Sequence, residues 1–274
     1  MVSYLWLSVL SLALGAIGTL IGAGGGFVLV PVLLLLYPQE SPQTITSISL
    51  AVVFCNALSG SLAYAWKRRI DYRSGLLFAA ATIPGAVIGA LTTDFFPRRL
   101  FNVVFGIIMI AAALYLAFFR ETEPAPARTG GKQLTSRKVV ESNGKIHVFS
   151  YNLNLGLWLS LFVGYLSSLL GIGGGIVHVP ILVRLLNFPV HLATATSHFI
   201  LAIMALAGTI VHMLTGSFSE SGVQLTIFLG LGVMGGAQLG ARLSDRMRGS
   251  WIIRGLATAL AFVGLRILML AWSS

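Results

Sequence analysis

Residues 20–33, LIGAGGGFVLVPVL, return as LLGIGGGIVHVPIL at 169–182, a constant offset of 149. Further matches follow in the same order. TITS at 44–47 pairs with TATS at 194–197, GAVIG at 85–89 with GAQLG at 236–240, and Asp94 with Asp245. Chance supplies one such match, but not four in succession. The chain reads as a duplication, with a first repeat over 1–119, a linker over 120–150 and a second repeat over 151–274. Internal repeats of this kind are a hallmark of secondary transporters.

Each copy is built from apolar runs. They cover about 4–37, 44–66, 75–91 and 100–119, then 155–186, 192–214, 222–241 and 252–272. A helix needs about 20 apolar residues to cross the hydrocarbon layer of a membrane. Only 9% of the residues are charged and 56% are hydrophobic, whereas soluble domains carry about 25% charged residues. A soluble enzyme is excluded. The runs are also too long and too unalternating for the strands of a membrane barrel. The expected fold class is an all-α polytopic membrane protein. Cys55, the single cysteine, lies within an apolar run, so neither an internal disulfide nor a thiol metal cluster can form. No metal and no cofactor is expected.

The net charge of +10 reads as cytoplasmic loops obeying the positive-inside bias, not as a nucleic-acid surface. No Lys or Arg precedes Lys67; four then fall in 67–73, six in 120–150 and four in 242–254. These three segments are expected on the cytoplasmic side. GSFSESG at 216–222, the second-repeat partner of 67–73, has no basic residue and is expected outside. Arg98 and Arg99 run against the pattern in the first-repeat partner of 242–248. Corresponding loops thus lie on opposite sides, so the repeats are inverted, with both termini external. Inversion requires an odd number of crossings per repeat. The run 4–37 holds 34 residues, roughly 51 Å as a helix, too long for one span and short for two. Each repeat is therefore expected to be a hairpin of two unequal helices broken at the glycines, followed by three transmembrane helices.

Gly24, Gly25 and Gly26, and Gly173, Gly174 and Gly175, interrupt these apolar runs. Glycine costs about 1 kcal/mol per residue inside a helix, so the helix breaks. Non-helical backbone at membrane depth survives only when buried in protein or lining a polar cavity. The half-helix that follows each break offers unpaired N–H groups and a positive dipole end, which favour an anion. Close helix packing is the competing role for these glycines. The pairs at 85 and 89 and at 236 and 240 have the small-xxx-small spacing of packing faces.

Hydroxyls cluster after each hairpin. Thr44 and Thr194 are placed to cap their helix, whereas Thr46, Ser47, Thr196 and Ser197 lie deeper, where a cavity-facing donor competes with a cap. Ser49 belongs to the same cluster. Asn56, two turns beyond it, either bonds a neighbouring helix or meets substrate. An intramembrane histidine is a functional candidate by default. His178, His198 and His212 are the candidates for proton coupling, with a carbonyl-bonded structural histidine as the alternative for each. Asp94 and Asp245 stand at helix ends near Arg98 and Arg246, so no embedded carboxylate marks a cation site.

The doubled G-x-G-G-G-x4-P element, at 22–31 and 171–180, resembles that of the TauE/SafE sulfite exporter family, also known as toluene-sulfonate uptake permeases. The resemblance covers nearly the whole chain. It implies a carrier of the bacterial inner membrane moving sulfite, sulfoacetate or other organosulfonates, and it extends to the glycine motifs and to Thr46, Ser47, Thr196 and Ser197. Asn56 and the histidines rest on their chemistry alone. The expected partners are a small anionic substrate and the lipid bilayer, with a homodimer an open option and nucleic acid excluded. An uncoupled anion channel competes with the carrier. An intramembrane enzyme is disfavoured, because neither H-E-x-x-H, nor G-x-S-x-G, nor a buried carboxylate pair is present.

Overall fold

A computed structural model describes residues 4–118, 134–246 and 249–273 of the chain. The first helix, α1 (Tyr4–Ile21), stops where Gly22, Gly24 and Gly25 take φ values of 85°, 74° and 79°. Left-handed backbone costs an L-residue about 1–2 kcal/mol, so glycine alone turns here without strain. The chain then returns as the shorter α2 (Gly26–Leu36). The second repeat does the same. Helix α6 (Leu153–Leu170) ends at Gly171, Gly173 and Gly174, with φ of 68°, 77° and 71°. It is followed by α7 (Gly175–Pro180), which widens into a π-turn over Ile181–Leu185. The expected hairpins of unequal helices are present.

Three long helices follow each hairpin: α3 (Pro42–Trp66), α4 (Tyr72–Thr92) and α5 (Arg98–Phe118), then α8 (Val190–Leu214), α9 (Glu220–Leu243) and α10 (Gly249–Ser273). Among the described residues, six helices are long and apolar enough to span a bilayer. The protein is a multi-pass helical membrane protein.

The helices of one repeat pack chiefly on those of the other. Gly232 rests on Ser8 and Ser11, Gly236 on the Leu12 carbonyl and Gly240 on the Ala16 carbonyl, so α1 and α9 run parallel. Gly85 and Gly89 sit in the same way on the Leu161 and Tyr165 carbonyls, making α4 and α6 parallel. Small residues allow this backbone approach where lipid supplies no hydrophobic drive. Counterpart helices, by contrast, run antiparallel. Gly60 of α3 meets His198 of α8, while Gly208 of α8 meets Leu50 of α3. Gly106 of α5 meets Leu268 of α10, and Gly264 of α10 meets Ile110 of α5.

Capping differs from expectation. Helix α3 is capped by Ser41, whose Oγ accepts from the Thr44 N–H at 3.1 Å, and Pro42 follows in the first turn, where its missing N–H costs nothing. Thr194 is not a cap either; its hydroxyl donates to the Val190 carbonyl at 2.8 Å. Helices α4 and α9 are capped by Asp71 and Ser219.

Residues 120–150 are more than a linker. Residues 119–133 and 247–248 lie outside the described residues, but β1 (Leu134–Val140) pairs antiparallel with β2 (Ile146–Asn152) in a register matching Leu134 with Asn152 and Val140 with Ile146. The connecting loop ends in Gly144 at φ 84°, the left-handed position a three-residue hairpin loop requires. This hairpin is fastened to the two helix ends beside it. Arg69 donates from Nε to Glu141 at 2.9 Å and from Nη1 to Asp245 at 2.8 Å. Lys67 reaches Asp245 at 2.6 Å, and His147 bonds Glu141 at 2.7 Å. Asp245 thus pairs with Lys67 and Arg69 rather than with its sequence neighbour Arg246. Burial alone would raise the Glu141 and Asp245 carboxyls; the bonds from Arg69 and His147, and from Lys67 and Arg69, instead hold both below the usual carboxylate range. The basic segments 67–73 and 242–246 and the hairpin therefore meet at one end of the molecule. Loop 216–222 lies at the other end of α3, beside Tyr37, Glu40 and Ile45, around a pocket of about 100 Å³.

Candidate functional site

The two glycine tips meet halfway along α3. Gly24, Gly26 and Gly173 all lie against Val53, the twelfth of the 25 residues of α3, and Gly24 also touches Leu201 of α8. The tips touch each other as well: a methyl on Gly175 would collide with the Gly22 carbonyl, and one on Gly26 would lie 2.9 Å from the Gly171 carbonyl. All eight tip glycines are buried. At the start of α2 and of α7, Gly25 and Gly174 sit as N-caps without a side-chain bond. The Val28 and Val177 N–H groups turn back to the Gly25 and Gly174 carbonyls at 3.2 and 3.0 Å and the Gly175 N–H to the Gly173 carbonyl at 2.9 Å, which leaves the other first-turn N–H groups without an acceptor in their own helix.

Two serines tie down the tips from the long helices. Ser49 Oγ donates to the Gly171 carbonyl at 2.6 Å, and Ser197 Oγ donates to the Gly22 carbonyl at 3.2 Å. This symmetry shifts the pairing of the repeats. Helices α3 and α8 begin at Pro42 and Val190 and hold 25 residues each, an offset of 148 rather than the 150 that aligns TITS with TATS. The structural counterpart of Ser197 is Ser49, not Ser47.

Beside the tips lies a polar cluster on one side only. The Thr19 hydroxyl donates to Asn56 Oδ1 at 3.2 Å, and His198 Nε2 bonds the same hydroxyl at 3.2 Å. Thr19 has one proton to give, so the orientation of the Asn56 amide and the tautomer of His198 are set together. The Tyr64 hydroxyl donates to the Thr19 carbonyl at 2.9 Å, and its ring stands edge-on to His198 at 5.8 Å. Asn56 Nδ2 is buried without a protein partner among the described residues, as is Ser167 Oγ next to Gly174. An unpaired buried polar atom costs about 1–3 kcal/mol. Two of these atoms stand beside the tips.

The other candidates are dispersed. The Thr46 and Ser47 hydroxyls donate back to the Gln43 and Thr44 carbonyls at 2.9 and 2.8 Å, though Thr46 also packs on Gly171. The Thr196 hydroxyl accepts from the Asp71 N–H at 3.1 Å, facing the loop before α4. His178 bonds Ser160 at 3.2 Å behind α6, and His212 bonds Ser217 at 3.3 Å near the end of α8. Thr19 and Tyr64 were not singled out from sequence. A repeated hydroxyl just ahead of each break, Thr19 in one copy and Ser167 with Ser168 in the other, was the available signal.

Residues 7–267 match the sequence profile of the family described as sulfite exporter TauE/SafE. The chain is 33% identical to the probable membrane transporter protein YunE of Bacillus subtilis, covering 97% of each sequence. A probable membrane transporter protein of Methanocaldococcus jannaschii is 22% identical over 96% of this chain and 94% of its own. One from Xylella fastidiosa is 24% identical over 93% and 91%. No solved structure matches.

Proposed function

Because this chain belongs to the sulfite exporter TauE/SafE family, we propose that it is a secondary transporter carrying a small sulfur oxyanion or organosulfonate across the bacterial inner membrane, with the anion engaged at the two glycine tips. The observation that carries this reading is the meeting of two broken hairpins against Val53 in the middle of α3. Each brings the positive end of a half-helix to the same depth, equivalent to roughly half an elementary charge apiece, without a charged side chain to be desolvated. Asn56 and Ser167 add unpaired polar atoms around the tips, and His198 a ring bonded to Thr19. The names of the relatives, probable membrane transporters, point the same way.

The antiparallel packing of α3 on α8 and of α5 on α10 supports an inverted repeat whose axis passes near the tips. Gathering of the segments around Lys67, Arg69 and Arg242 at one end supports placing that end in the cytoplasm. Contact between the tip backbones favours a carrier over an open channel, since the centre of this conformation is closed by main chain. The membrane potential favours export of a monoanion, by about 2.3 kcal/mol per 100 mV, so an exporter needs no coupling ion and an importer does.

Flux of radiolabelled sulfite from proteoliposomes, competed by sulfate, thiosulfate and organosulfonates, tests the assignment. Saturable flux with counterflow is expected, inhibited by the sulfur anion the site prefers. Asn56→Leu removes the unpaired amide while filling its volume, and is expected to leave thermal unfolding within about 1 kcal/mol but to lower sulfite affinity. Unchanged affinity would make Asn56 a packing residue; linear, unsaturable flux would make the protein a channel.

A further inference from the structure

A second polar site lies away from the tips, between β1 and the loop joining α3 to α4. It is a cleft of about 570 Å³ lined by Arg68, Tyr72, Arg73, Arg137 and Lys138, with Asp71 as its one acid. Asp71 is already committed: it accepts from the Ser74 N–H at 3.4 Å, bonds the Ser74 hydroxyl and stands 3.8 Å from Arg137. The side chains of Arg68, Arg73 and Lys138 have neither a carboxylate nor a hydrogen-bond partner among the described residues, in contrast to those of Lys67 and Arg69 on either side of Arg68. Three uncompensated cations therefore face one concave space. Arg68 takes φ 52° as the left-handed residue that ends α3, with its N–H on the Ala65 carbonyl and the Arg69 N–H on the Tyr64 carbonyl, so the helix ending sets where the Arg68 backbone leaves the helix. The positive-inside bias demands basic residues on this side, but it does not demand that they converge on one cleft.

The depth of the cleft identifies what it meets. Trp66, 83% exposed, and Tyr72, 46% exposed, flank the loop at the ends of α3 and α4, and exposed Trp and Tyr at helix ends lie at the headgroup level of a bilayer. Beside the cleft the outer face of the hairpin exposes Val140, Ile146 and Val148, apolar side chains suited to the acyl boundary. We propose that this cleft binds the phosphate of an anionic phospholipid headgroup, and that the hairpin is thereby seated on the membrane surface.

The test uses the purified full chain, with binding of short-chain phosphatidylglycerol measured by native mass spectrometry and by thermal shift in a neutral detergent. The parent protein is expected to bind it and to bind short-chain phosphatidylcholine far more weakly. Replacing Arg68, Arg73 and Lys138 together by Ala is expected to weaken binding by about fivefold per cation, on the order of a hundredfold in all. Replacing Arg242, Arg246 and Arg254 by Ala removes the same charge elsewhere and is expected to leave it within about twofold of the parent. Equal losses in both triple variants would overturn the site in favour of diffuse surface charge. A thermal shift with inorganic phosphate at equal concentration, but none with the lipid, would overturn the lipid assignment. If the cleft variant is unstable, Arg73→Ala alone must still weaken phosphatidylglycerol binding severalfold, and unchanged binding overturns the proposal.

Discussion

At the scale of single residues, His198 is the histidine whose surroundings fit a role at the tips. It shares the Thr19 hydroxyl with Asn56 and lies against Tyr64, whereas His178 and His212 each bond a serine, Ser160 and Ser217, outside this cluster. If transport is proton-coupled through this group, the pH dependence of flux between about pH 5.5 and 8, bracketing the ordinary histidine pKa, will vanish in His198→Gln. Glutamine keeps an N–H donor for Thr19 while losing the titration. His178→Gln and His212→Gln should retain the parent profile. A parent profile in His198→Gln as well would remove coupling from this residue. Gly25→Ala and Gly174→Ala are poor probes of anion binding, for both positions have positive φ, 79° and 71°. A methyl there strains the backbone whether or not a ligand approaches.

The helices show what small residues do when they are not part of a tip. Gly235 and Gly236 are neighbours on α9, yet a methyl on Gly235 would meet only Leu12 Cδ1 at 4.0 Å, while one on Gly236 would collide with the Leu12 carbonyl. Gly235→Ala is therefore expected to be neutral or to stabilise by about 0.5–1 kcal/mol through helix propensity. Gly236→Ala should force α1 and α9 apart, at a cost of about 1–3 kcal/mol. Thermal unfolding in detergent compares the two, and equal midpoints would show that α1 and α9 tolerate separation. The spacing of Gly236 and Gly240 already announced this contact in the sequence, as GGG at 24–26 and 173–175 announced the breaks. Where a break has its own residue signature, sequence reading reached it. It failed where the signal was tertiary or faint. Ser49 was grouped with its neighbours because nothing in TITSIS says which hydroxyl faces Gly171. The hairpin was overlooked because alternation in TSRKVV and IHVFSY is short and set among polar residues, although Asn143-Gly144 between them is a turn signal. That hairpin is held by two carboxyls kept below the ordinary carboxylate range. A carboxyl depressed on folding contributes stability above its unfolded pKa, about 4, and the contribution is lost as pH falls through the lower folded value. Protection of the 134–152 backbone in hydrogen exchange should thus be constant from pH 7 to about 5 and drop below about pH 4. Glu141→Gln should drop it already at neutral pH.

For the whole molecule, the arrangement of charge and the arrangement of helices make one joint statement about sidedness. Lys67, Arg69, Glu141 and Asp245 form one connected network, so the hairpin, the end of α3 and the end of α9 belong to a single face. Loop 216–222 packs near Tyr37 and Ile45 at the start of α3, and the 25 residues of α3 separate the two faces by roughly 37 Å, about the thickness of a bilayer. Arg98, one of the two exceptions to the charge bias, sits at this second face. Its guanidinium donates to the carbonyls of Leu34, Pro38 and Glu40 at 2.7–2.9 Å, locking the α2–α3 connection, so its position follows from a structural task. Single cysteines in a Cys55→Ala background test the result: Ser142→Cys in the exposed hairpin turn and Phe218→Cys in the opposite loop. A membrane-impermeant maleimide applied to intact spheroplasts should label Phe218→Cys and spare Ser142→Cys until the cells are lysed. The reverse pattern would keep the inverted repeat and turn the whole protein over, moving the half-helix ends of α2 and α7 with it but leaving the tip site in place. Labelling of both from one side has no such rescue, because the two faces lie at opposite ends of one membrane-spanning helix. It would mean that α3 does not cross the bilayer, and the inverted repeat and the central anion site would fall together.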